Sequence, residues 1–208
     1  MSLFYIPAGA GEAEFTEKRS RFLGHVRHAE SEEEARLFIA QVKKEHYDAR
    51  HNCWCYILRD GAERYSDDGE PQGTAGIPML EVFRREGISD VVCVVTRYFG
   101  GVLLGSGGLL RAYTRSAKDA LDAAGVSALR PWTEADIRCS YAMAQRLQNE
   151  VSRLGGLVSE LEYGAGVVIK ILSPKESFEE LKAHIFDISG GSVSASPTGE
   201  SYRAVRIR

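Results

Sequence analysis

Residues 14–28, EFTEKRSRFLGHVRH, interleave charged and apolar side chains as an edge strand does. Ser31 followed by Glu34 is a capping box, in which the serine accepts from the third helical amide and the glutamate bonds back. Apolar residues then recur at Ala35, Phe38, Ile39 and Val42, which predicts a helix ending near His46. HNCWCYIL (51–58) is aromatic and β-compatible, so it reads as a strand. Pro78 stands where a first helical residue would, and MLEVFRREG reads as a short helix stopped by Gly87. DVVCVVTRYF (90–99) is a nearly unbroken apolar run, which predicts a strand buried on both faces. LLRAYTRSAKDALDAAG is a long helix with Leu110, Tyr113, Ala117 and Leu121 on its apolar face and Gly125 as its stop.

The pattern changes after LRPWTEAD (129–136), which reads as a linker with a strand start. Ala135, Ile137 and Cys139 alternate as in a strand, and Leu147, Val151 and Leu154 mark a helix face. LVSELEY and VVIKIL are strands separated by Gly164-Ala165-Gly166, and Pro174 opens a helix carrying Phe178, Leu181 and Ile185. Ser192–Ser196 and Tyr202–Ile207 each suit a final strand. The order β-α-β-β-α-β is that of a small ferredoxin-like domain. The expected class is α+β with two domains, 1–130 and 134–208, and a boundary near Pro131.

At 208 residues and 44% hydrophobic, the chain can bury a core in one large or two small domains. Its net charge is −3, so nucleic-acid binding would need a local basic patch. Met1–Gly11 lacks the form of a signal peptide, and no apolar run approaches the roughly 20 residues of a membrane span. Four cysteines in a chain this long fit reduced thiols in a cytoplasmic protein. No cofactor or resident metal is expected.

Two glycine-rich stretches carry a resemblance. SDDGEPQGTAGIPML (66–80) and VVTRYFGGVLLGSGGLLRAYTRS (94–116) closely resemble the IMPACT family, in particular its bacterial YigZ branch. EKRSRFLGHV (17–26) and DARHNCWCY (48–56) resemble the same family in the same order. The resemblance implies a ribosomal protein S5 domain 2-like fold for the N-terminal domain. For the C-terminal domain it implies a ferredoxin-like fold similar to domain V of elongation factor G. Some members have a lysine in the second glycine loop; Leu103 stands there in this chain, as is common in the bacterial branch. Eukaryotic members resemble regulators that compete for a partner of a translation-control kinase, and they carry an extra N-terminal RWD domain. What carries over is a link to translation, with no named reaction.

The second loop, beginning at Gly100 and Gly101, runs from a buried strand into a helix. Helix-start amides lack internal partners, so Gly105, Ser106, Gly107 and Gly108 form a candidate anion cradle, with Arg97 and Arg111 adding charge. The spacing matches neither a Walker A motif nor a dinucleotide fingerprint. Some small-molecule kinases of S5-like fold also place a glycine-serine loop at a helix start. The alternative is a tight strand-to-helix turn. Asp67, Asp68 and Glu70 suit Mg²⁺, acid–base work, or simply a turn shaped by Gly69 and Pro71. A further reading has the GTAG segment lying flat against the other glycine loop or a partner. His51, Cys53 and Cys55 share one strand face; Cys53 with His51 as base is conceivable, and half-buried packing is the simpler account. Arg97-Tyr98-Phe99 suits RNA or a protein partner. Otherwise an aromatic points into the core and Arg97 pairs with Asp67 or Asp68.

Together these observations lead to one expectation. Both glycine loops leave the same sheet edge and meet in a cleft lined by Arg97, Tyr98 and the acids. The favoured function is a translation-associated regulatory or binding protein acting on the ribosome, RNA or a translation factor. The alternative is an enzyme or nucleotide-binding protein acting on a phosphorylated small molecule. No convincing catalytic set is present in the sequence, and no membrane partner is expected.

Overall fold

The stretch expected to be one edge strand is a hairpin in the computed structural model, which describes residues 4–208. Strands β1 (Phe4–Pro7), β2 (Gly11–Glu17) and β3 (Ser20–His28) open the chain. Glu17 pairs with Ser20, so the β2–β3 turn is Lys18-Arg19, with φ of 45° and 68°. That is the left-handed geometry of a two-residue hairpin loop, here built without glycine.

The chain divides into two units, one reaching Leu129 and including Ala204–Arg208, the other Arg130–Arg203. In the first, α1 (Glu32–Glu45), β4 (His51–Ile57), β5 (Glu63–Ser66), α2 (Gly76–Glu86), β6 (Val91–Tyr98) and α3 (Ser106–Ala124) follow the hairpin. The sheet order is β2-β3-β6-β4-β5, antiparallel throughout. Central β6 is buried on both faces, as its apolar run predicts. Val91, Cys93 and Val95 face α2 and α3, while Val92 and Val94 face α1. Ser31 caps α1 by accepting from the Glu34 amide at 3.2 Å, and the Glu34 carboxylate accepts from the Glu30 amide at 2.8 Å.

Helix α3 lies close on the hairpin because two glycines clear its path. A Cβ at Gly24 would stand 2.4 Å from the Ser116 carbonyl oxygen, and one at Gly11 2.2 Å from that of Ala120. The helix starts three residues before the expected leucine pair. Its buried face is Leu109, Ala112, Tyr113, Ala117, Ala120 and Leu121, and Leu110, expected on that face, is 46% exposed. Helix α2 likewise starts at Gly76, two residues before Pro78. Short β1 and β5 gave no alternation long enough to read.

The second unit is built from β7 (Val126–Cys139), α4 (Tyr141–Arg153), β8 (Leu157–Tyr163), β9 (Val167–Pro174), α5 (Phe178–Ile188) and β10 (Ala195–Arg206). Strand β7 enters it from the first unit, where Val126–Leu129 pair with β1. The segment expected as a linker is therefore strand, and the two expected final strands are one, β10. The order β10-β7-β9-β8 and the antiparallel β7–β9 and β9–β8 pairings are those of a ferredoxin-like sheet. Leu147, Val151, Leu181 and Ile185 cover one sheet face over Ile137, Ile169 and Ile171. The α+β class with an S5 domain 2-like first domain and a ferredoxin-like second one is the architecture seen. Among the described residues, no helix is long and apolar enough to cross a membrane.

Candidate functional site

Strand alternation decides which side chains of Arg97-Tyr98-Phe99 meet. Arg97 shares the face of Cys93 and Val95 and turns toward α3, where it is only 4% exposed. Its Nη1 donates to Glu70 Oε1 at 2.7 Å and its Nη2 to Ser20 Oγ at 3.4 Å, while Nε has no partner. The guanidinium carbon is 5.5 Å from the Phe22 ring centre and 5.3 Å from that of Phe99. Glu70 Oε1 also accepts from the Tyr113 hydroxyl at 2.8 Å. The partner of Arg97 is thus Glu70, not Asp67 or Asp68. Tyr98 projects to the other face. There its hydroxyl donates to Asp48 at 3.1 Å and accepts from His46 Nδ1 at 2.9 Å. Tyr98 is therefore not part of the cleft.

The three acids of the first loop diverge. The Asp67 carboxylate accepts from the amides of Gly73, Ala75 and Gly76 at 2.8, 3.1 and 2.8 Å, which closes the loop and caps α2. Asp68, at φ 43°, accepts from the Asn52 amide and pairs with Lys43, both at 2.7 Å. Only Glu70 turns inward. Among the described residues, no three His, Cys, Asp or Glu side chains are arranged to hold a metal.

His51 stands across from Glu70. Its Nδ1 is 2.8 Å from the Asp68 carbonyl oxygen. A carbonyl only accepts, so Nδ1 carries the proton and Nε2 is the acceptor of the neutral ring. Nε2 lies 3.8 Å from Glu70 Oε2. Cys53, on the same strand face, donates to the Asp67 carbonyl at 3.0 Å, and burial pushes its thiol well up. A buried, hydrogen-bonded thiol held protonated is a poor nucleophile, which removes the physical basis for a Cys53–His51 pair.

Between the two loops lies a cavity of about 380 Å³. His51, Gly69, Glu70 and Pro71 form one wall; Leu103, Leu104, Gly105 and Ser106 form the opposite one, with Arg97 and Phe99 between them and Arg50 at the rim. Gly105 takes φ 73°, and its carbonyl accepts the Leu109 amide. The amides of Ser106, Gly107 and Gly108 therefore open the helix without internal partners. Gly100 donates its amide to Ser20 Oγ at 3.2 Å, and a Cβ there would stand 2.1 Å from the Arg19 backbone. Gly101, at φ 83°, completes the turn.

Arg111 faces a second hollow of about 260 Å³, with Lys18, Arg115, the acid Glu17, Phe15 and Gly108 around it and Leu104 shared with the first. Arg21 is paired with Glu14, and Arg115 with Asp119. Lys18, Arg19, Arg50 and Arg111 are exposed and make no ion pair among the described residues. The sequence reading missed Lys18, Arg19 and Arg50 as neighbours of the glycine loops, and missed Ser20 and Tyr113 as partners of the Arg97–Glu70 pair.

Comparison with known proteins agrees with this architecture. The Impact N-terminal domain matches residues 18–121, and a domain of unknown function, DUF1949, matches residues 137–192. The IMPACT family member YvyE of Bacillus subtilis is 40% identical over 160 residues, 76% of this chain and 74% of that one. The IMPACT family member YigZ of Escherichia coli is 34% identical over 197 residues, 93% of this chain and 97% of that one. A crystal structure of a hypothetical protein superposes with a TM-score of 0.61 at 32% identity, covering 96% of this chain and 98% of that one. With both glycine loops inside the matched region and relatives of this identity along most of its length, the chain belongs to the IMPACT family.

Proposed function

We propose that the chain is a translation-associated binding protein whose first unit takes the phosphate backbone of RNA, as displayed on the ribosome, at the N-terminus of α3. The observation that carries this reading is the set of four exposed, unpaired cations, Lys18, Arg19, Arg50 and Arg111, around the glycine loops. They form a local basic patch on a chain whose net charge is −3. The open amides and the positive dipole end of α3 add to the attraction for phosphate. Phe99, 44% exposed beside Arg97, offers a ring on which a base can stack. The link to translation implied by the family resemblance points the same way.

A second reading, a phosphorylated small molecule, is favoured by the cavity of about 380 Å³, a volume within the usual range of small-ligand sites. Co-sedimentation with ribosomes on a sucrose gradient separates the two. Wild type is expected to move with a ribosomal fraction at low salt, and the double variant Lys18→Glu/Arg111→Glu to stay at the top. Both positions are exposed, so the fold is spared. Wild type remaining at the top at every salt would remove the RNA reading in favour of the small ligand.

A further inference from the structure

We propose that the cleft reads a hydroxyl group next to a phosphate, and that His51 Nε2 with Glu70 Oε2 is the acceptor pair that does so. This rests on the phosphate-binding reading of the same cleft. The cavity wall at α3 presents a donor, the open amide of Ser106 at the helix start. The opposite wall differs. The Nδ1 proton of His51 is committed to the Asp68 carbonyl, so the neutral ring offers an Nε2 lone pair. Glu70 Oε1 is used twice, by Arg97 and by Tyr113, which leaves Oε2 without a hydrogen bond. Two acceptors thus stand 3.8 Å apart, beyond hydrogen-bond distance, and they form an ion pair only when the ring is protonated.

A ligand that satisfies both walls carries an anion at one end and a hydrogen-bond donor at the other. The donor is neutral. Arg97, its Nε unpaired, already offsets the Glu70 charge at 2.7 Å, and Arg50 is at the rim, so a ligand cation would find no unbalanced negative charge there. A hydroxyl beside a phosphate meets these conditions. The 2′-hydroxyl of RNA has this chemistry, and so does a free sugar phosphate. The backbone carbonyl that fixes the tautomer is itself fixed, because Asp68 sits at φ 43° and Gly69 at φ 87°, with the Gly69 Cβ position 3.5 Å from His51 Nδ1. The ring is thereby aimed, and its side chain is 13% exposed.

The test compares matched ligands. Binding of a 5′-phosphorylated ribo-oligonucleotide and its all-deoxy counterpart is measured by fluorescence anisotropy. Ribose 3-phosphate and 2-deoxyribose 3-phosphate, which differ in the hydroxyl beside the phosphate, are measured by calorimetry. Wild type is expected to prefer the hydroxyl-bearing member of at least one pair by about fivefold, the worth of one hydrogen bond. His51→Asn keeps a donor near Nδ1 for the Asp68 carbonyl and removes Nε2, so it should erase the preference without changing the urea midpoint. His51→Gln, with an amide oxygen near Nε2, should restore part of it. A preference seen only with the sugar phosphates supports the hydroxyl inference while overturning RNA as the source. Equal binding of both members by wild type, or a preference surviving in His51→Asn, overturns the inference and leaves the phosphate reading standing. No binding of any of the four ligands overturns both.

Discussion

Removing Arg97 alone would leave the Glu70 carboxylate buried beside Tyr113 without a counter-charge. Breaking a buried pair from one side costs about 3–5 kcal/mol, so Arg97→Ala should lower stability by that amount in urea unfolding. The double change Arg97→Met/Glu70→Leu should recover most of the loss, because no buried charge then remains unpaired. An alanine at Arg97 is therefore a probe of folding rather than of binding, and the exposed cations are the better probes of the site. Cys53 sets a pH dependence. Burial raises the thiols of Cys53 and Cys55 and the phenol of Tyr113, so the folded chain keeps protons that the unfolded chain releases. With fewer protons bound when unfolded, stability falls as pH rises through the ordinary thiol range, about 8.5, and is intact below it. Urea midpoints at pH 7.5 and pH 10 should show the drop, and Cys53→Ala should flatten part of it. The reverse slope would contradict the burial of these groups.

The β2–β3 turn is the element on which the proposed patch and backbone stability pull apart. Lys18 and Arg19 both occupy left-handed backbone, which costs a non-glycine residue about 1–2 kcal/mol. Asn-Gly is the sequence such a turn favours. Lys18→Asn/Arg19→Gly should therefore raise the thermal midpoint, yet weaken ribosome association by deleting two cations of the patch. A variant that gained stability with unchanged association would take the turn out of the site. This conflict also shows what the sequence made legible. The long elements β6, α1 and α3 and the βαββαβ order of the second unit were readable because their periodicity runs over many residues. The hairpin was hidden because its turn is charged, where glycine and asparagine are the usual signals. The helical start at Ser106-Gly107-Gly108 was hidden by the low helix propensity of glycine. The site was half legible. Two glycine loops around Arg97 could be expected from composition, and the period of two already puts Arg97 and Tyr98 on opposite faces. The Glu70 partnership was beyond reach, because the amides that claim Asp67 and Asp68 exist only once the loop has folded.

At the scale of the molecule, a net charge of −3 hides an unequal distribution. Lys170 on β9 pairs with both Glu160 and Glu162 of β8, and Asp136 of β7 is its register partner. That sheet face thus carries three acids with Lys170 and Arg138, whereas Lys18, Arg19, Arg50 and Arg111, the unpaired cations around the glycine loops, belong to the first unit. If the proposed patch takes RNA, salt dependence measures how many of its cations take part. Each phosphate neutralised on a single strand contributes about −0.7 to the slope of log K against log salt. With Lys18, Arg19, Arg50 and Arg111 all engaged, the slope should be about −3. Lys18→Ala/Arg111→Ala should bring it to about −1.4, because two contacts are lost. Glu160→Gln/Glu162→Gln should leave it unchanged, since those residues lie in the other unit. An unchanged slope in the Lys18/Arg111 variant would mean that the basic patch is not what holds the phosphates. A slope altered by the Glu160/Glu162 pair would carry the contact onto the ferredoxin-like sheet instead.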